Sequence, residues 1–186
     1  VDPISGRAIL QEIDFIAAQQ AHSATGERMS APVTIRLATL EDYPGFFSVA
    51  QETHEYHVAL LPNVFRSVEL AVPHDYFAQM VTGKESCILL AERAGAIVGY
   101  ATLQLHHATR DNMVPHTVAE VGNFGVSATH RRTGVGRLLL AACRERAKAM
   151  GARDLNLSCW EENQEAMRFY EDMGMRVSRR WLTLGL

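Results

Sequence analysis

Between Arg131 and Gly136 the chain reads Arg-Arg-Thr-Gly-Val-Gly, directly after an extended apolar run and at the head of an amphipathic stretch. Glycines let a turn aim several backbone N–H groups at one anion and let that anion come close to the main chain. A helix opening there adds unpaired N–H groups and the positive end of its dipole. Arg131, Arg132 and Arg137 add guanidinium charge suited to phosphate oxygens. These are the parts of a pyrophosphate cradle. Other phosphate loops fail on residue type: a Walker loop needs Lys and then Ser or Thr after its last glycine, where Gly136 is followed by Arg137 and Leu138. A G-x-G-x-x-G turn after the first strand, as in dinucleotide folds, is also missing.

The elements that must hold this loop can be read around it. Val33 to Leu37 suits a first strand, Thr39 an N-cap, and Leu40 to about Leu60 a helical region broken near Pro44 and Gly45. A second helix is expected from His74 to Val81. Cys87 to Arg93 and Ala96 to His107, parted by Ala94 and Gly95, read as a hairpin, and Thr117 to Val126 as the next strand. A third helix from Gly134 to Met150 places Val135, Leu138, Leu139, Ala142, Cys143, Ala147 and Met150 on one stripe, with Gly151 as its stop. Leu155 to Ser158 reads as a short strand. Asn163 to Met173 reads as a fourth helix closed by Gly174, and Met175 to Leu184 as one or two last strands. The order implies an α/β (α+β) domain with a mixed, twisted sheet.

Composition fits that frame. The 186 residues are 47% hydrophobic with a net charge of −3, which suits one globular domain over 29–186. Lys+Arg 18 against Asp+Glu 21 disfavours a nucleic-acid partner or a membrane surface, since no basic excess exists beyond the loop. Cys87, Cys143 and Cys159 are too few and too scattered for a disulfide framework or a zinc site, which points to reduced cytoplasm. Residues 1–28 differ in character and are either a vector-derived leader or a short helical extension carrying Ile9, Ile13 and Ile16.

The loop resembles the acetyl-CoA signature of the GNAT N-acetyltransferase superfamily, Arg or Gln, two residues, Gly, one residue, then Gly or Ala, at Arg131, Gly134 and Gly136. Ala119 to Ser127 resembles that family's fourth strand with its glutamate, here Glu120. Asn163, Ala166 and Tyr170, followed by Gly174, resemble its N-x-x-A-x-x-x-Y pattern. The resemblance implies a GNAT sheet of about six to seven strands with about four helices, and acetyl-CoA as cosubstrate with no metal. It implies pyrophosphate binding by Arg131, Arg132, Thr133, Gly134, Val135, Gly136 and Arg137, and pantetheine binding by Phe124, Gly125, Val126 and Asn163. Glu120 would be the general base, directly or through water, and Tyr170 the general acid. The acceptor, a small-molecule or peptide amine, would sit against His54 to Arg66 and His106 to His116, with Glu52, Glu55 and Glu69 as candidate attractors of a cation. From the residues alone His54 and His57 suit a solvated helix face. A homodimer is compatible with the family, and a non-catalytic acyl-CoA sensor is the competing function.

Overall fold

The computed structural model describes residues 31–109, 111–112 and 114–185; the leader and its proposed helix lie outside them. Five strands form one sheet in chain order: β1 (Val33–Leu37), β2 (Ser86–Arg93), β3 (Ala96–Ala108), β4 (His116–Val126) and β5 (Asp154–Leu157). Neighbours are antiparallel except β4 and β5, which run parallel. Four helices complete the domain: α1 (Tyr43–Leu60), α2 (His74–Thr82), α3 (Val135–Ala149) and α4 (Gln164–Asp172).

Strand periodicity assigns the helices to faces. In β2, Ile88 and Leu90 join Phe46, Val49 and Ala50 of α1 and Phe77 and Met80 of α2, while Leu89 and Ala91 join Val135, Leu139 and Ala142 of α3. Successive residues of a strand point to opposite faces, so a wholly apolar run means both faces are covered. The β2–β3 turn requires positive φ at both Ala94 (50°) and Gly95 (78°), the geometry that matches strand twist.

Two expectations are corrected. Pro44 does not break the first helix: Leu40–Asp42 form a 3-10 turn, and Pro44 sits in the opening turn of α1, where no intrahelical N–H bond is lost. Asp42 bonds back to the Thr39 N–H at 2.7 Å and receives Arg36 at 2.7 Å, so the helix entrance is tied to β1. The second correction concerns the end of the chain. Met175–Leu184 forms no strand, and the sheet has five strands rather than six to seven among the described residues. Apolar alternation supplies strand propensity, but a strand exists only where a ladder partner pairs with it. Trp181, Leu182 and Leu184 are exposed.

Candidate active site

The site begins with a flaw in β4. Ala101 pairs with Phe124 but Leu103 with Val121, so two residues of β4, Gly122 and Asn123, oppose Thr102 alone. The buried Thr102 hydroxyl accepts the Asn123 N–H at 2.8 Å and satisfies the bulge. β5 pairs only with Val118 to Val121 and ends at Leu157, so β4 runs on from Gly122 to Val126 with its outer edge open. The Ser127 N–H bonds to Val98 O of β3 at 2.9 Å. Its predecessor Val126 therefore turns its own N–H and C=O to the opposite, open edge. Arg131 Nε donates to that Val126 carbonyl at 3.1 Å.

The loop from Arg131 to Gly136 follows. Gly134, at φ 89°, is the N-cap of α3, a left-handed conformation that favours glycine. The N–H groups of residues 132 to 136 make no hydrogen bond among the described residues. Arg132 adopts φ 62°, another turn of the main chain in the same loop. Gly136 packs its Cα side toward Phe169 and Phe124, so α3 and α4 close on the end of β4.

Sequence and structure agree unevenly on the individual residues. A cleft of about 820 Å3 is lined by Phe124, Gly125, Val126, Arg131, Arg132, Gly134, Gly136, Arg137, Asn163 and Tyr170. Thr133 and Val135 do not line it. The Thr133 hydroxyl bonds to His130 O at 2.7 Å and Val135 is a core residue, so each can offer only its backbone N–H. Arg131 is turned toward the cleft, its guanidinium 4.8 Å from the Tyr56 ring centroid. Arg137 stands 3.9 Å from Asp172, an exposed pair.

Tyr170 lies against Phe169 and Phe124, ring centroids 5.2 and 6.1 Å away. Its hydroxyl has no hydrogen-bond partner among the described residues, and burial pushes the phenol well above its ordinary range. Asn163 caps α4 by accepting the Ala166 N–H at 3.2 Å. That helix ends as Gly174 foretold: with φ 85°, Gly174 donates to Glu171 O and Met175 to Tyr170 O. Cys159 also lines the cleft, and burial raises its thiol, which keeps it protonated.

Glu120 is not part of the cleft lining. It is exposed, and its carboxylate stands 3.3 Å from His106 Nε2. His106, His107 and His116 do not line the cleft either, and His107 pairs with Glu85 at 2.9 Å. His54 and His57 depart from the solvated-face expectation, for both line the cleft. Burial, first, and the nearby charges of His54 and Arg131 hold the His57 imidazole below its usual range. Phe65, within the expected His54 to Arg66 wall but not singled out there, meets Trp160 of the β5–α4 loop, which sequence reasoning passed over, edge to face at 5.7 Å. The signal available was weak: two large aromatics in polar connecting segments. Among the described residues no group of three or more His, Cys, Asp or Glu is arranged to hold a metal ion. No described helix is long and apolar enough to cross a membrane.

This arrangement of sheet and helices has known counterparts. The model of the acetyltransferase (GNAT) family matches residues 42–175, and the chain belongs to that family. It is similar to mycothiol acetyltransferase of Thermobispora bispora, 35% identical over 92 residues; that match takes in 50% of this chain and 30% of the relative's length. The tetramutant of BH1408 protein from Bacillus halodurans superposes with a TM-score of 0.78 at 28% identity, over 82% of this chain and 99% of that one. Aminoglycoside N-acetyltransferase AAC(6')-Iy, solved in complex with CoA, shares the fold at a TM-score of 0.64 and 16% identity, over 87% and 98% of the two chains.

Proposed function

We propose that this protein is an N-acetyltransferase that moves the acetyl group of acetyl-CoA to a primary amine within a ternary complex. The observation that carries the reading is the open β4 edge from Gly122 to Val126 leading to the unpaired N–H groups at the tip of α3. Pantetheine, with amides spaced like a strand, pairs along that edge, and its diphosphate meets residues 131 to 137. A structurally similar aminoglycoside enzyme is solved in complex with CoA, which supports CoA as the ligand of this fold.

The Val126 N–H then faces the thioester oxygen and stabilises the charge that develops on it. The amine nitrogen attacks the carbonyl carbon, a C–N bond forms and the C–S bond breaks. Tyr170 gives its proton to the departing sulfur. Burial that raises the phenol raises the proton affinity of a thiolate in the same place, so the transfer stays matched. The ammonium proton leaves through water toward Glu120 and its neighbour His106. A second reading puts His57 in that role, and it is favoured by one observation: His57 lines the cleft and Glu120 does not. A cytoplasmic setting, supported by three free cysteines, belongs to the same proposal.

The test is release of free thiol from acetyl-CoA with a panel of primary amines. Stoichiometric thiol and acetylated amine are expected. Tight CoA binding with no amine-dependent thiol release would favour an acyl-CoA sensor instead.

A further inference from the structure

We infer that the acceptor is an aryl-bearing primary amine, an inference that rests on the acetyl-transfer reading above. One wall of the cleft is aromatic. His57 and Phe65 stack at 5.5 Å with a 38° tilt, and Phe65 meets Trp160 at 5.7 Å and 85°. The rings come from α1, the α1–α2 loop and the β5–α4 loop, so they bridge segments about a hundred residues apart in sequence and converge beside the open end of β4. Trp160 is 45% exposed, which leaves ring surface for a ligand.

The charge on this wall is as informative as its shape. Among the described residues, the carboxylates lining the cleft are Glu165 and Asp172, both on α4, and Asp172 faces Arg137 at the phosphate end. Glu52 and Glu55, which could have drawn in a polycation, are committed elsewhere. Glu52 accepts the Ala128 N–H, and Glu55 accepts from Ser67 at 2.7 Å; neither lines the cleft. Arg131, stacked on Tyr56, meets the diphosphate in the transfer complex. Glu165, which makes no ion pair among the described residues, is left to meet an ammonium, while the aromatic wall itself carries no carboxylate. A flat ring can instead fill the space against Phe65 and Trp160, where edge-to-face contacts add to burial.

The experiment compares 2-phenylethylamine with spermidine and kanamycin in thiol release. The expected result is a kcat/KM at least tenfold higher for the aryl amine. Phe65→Ala and Trp160→Ala should each lower that value by roughly 3- to 10-fold, the worth of one aromatic contact, with CoA affinity and melting temperature retained. Calorimetry of 2-phenylethylamine against the CoA-loaded protein reads the same wall without turnover. Heat in the wild type that is lost in Trp160→Ala supports the inference where turnover is too slow to compare. Equal or better use of the polycations, no heat in the wild type, or heat unchanged in both variants overturns it. Failure of the transfer reading is separate: no amine of any kind then releases thiol.

Discussion

The two halves of the cleft are built from different materials. Under the acetyl-transfer proposal, the cosubstrate half is mostly main chain: an open strand edge, a bulge, and N–H groups at the tip of α3. The acceptor half is mostly side chain, from His54 and His57 to Phe65 and Trp160. Main chain recognises what every substrate of the reaction shares, because amides and diphosphate do not vary. Side chains recognise what varies. A fold can therefore keep its cosubstrate while changing acceptors, since replacing a ring alters no backbone path.

Tyr170→Phe tests the contrast most severely, because it removes one side-chain group from the half that is otherwise main chain. Turnover is expected to fall about 100-fold, the scale of a lost general acid, with CoA affinity by calorimetry and thermal stability unchanged, since the hydroxyl bonds to nothing among the described residues. A rate equal to wild type would remove Tyr170 from the mechanism.

Gly125→Ala comes next. A Cβ there would strike the Thr53 hydroxyl and come within 2.8 Å of the buried Tyr100 ring, so about 1–3 kcal/mol of stability is expected to be lost in a urea unfolding curve. Gly136→Ala should behave oppositely. Its Cβ would lie 3.4 Å from Phe169, an ordinary contact, within a helix where alanine is favoured. We expect the melting temperature to hold or rise while CoA binds roughly tenfold more weakly, because the methyl stands where phosphate approaches the main chain. Equal CoA affinity would mean that the helix tip is not the cradle.

The smallest expected effect concerns pH in the acceptor half. The His57 imidazole, held by burial below its usual 6.5, binds its proton more readily in the unfolded chain. Its contribution to stability is complete above about pH 6.5 and is lost as pH falls through the lower folded value. Unfolding midpoints measured from pH 7.5 to 5 should decline less steeply in His57→Gln than in wild type.

Legibility in the sequence followed the same division. The stops at Gly151 and Gly174 and the cap at Asn163 depend on local conformational preference, and each stands where its residue type implied. Pro44 was misread because proline breaks a helix only beyond its first turn, and the 3-10 turn before α1 moved that boundary. Met175–Leu184 carried the alternation of a strand without a partner to pair with. Phe65 and Trp160 could not be matched in advance, since nothing local links two loops so far apart.

By itself, the sequence determined the anion turn at Arg131 to Gly136, the helix that follows it, and the apolar stripes that place α3 and α4 against the sheet. Those features arise from glycine's backbone freedom, helix-end N–H groups and periodicity, all properties of short segments. Only the tertiary structure decided that β5 would end four residues after it began, leaving β4 open, that Glu120 would face His106 outside the cleft, and that the histidines of α1 would line it. Each of these is set by where one element stops relative to another distant in the chain, and that distance is fixed by packing of the whole sheet rather than by any local preference.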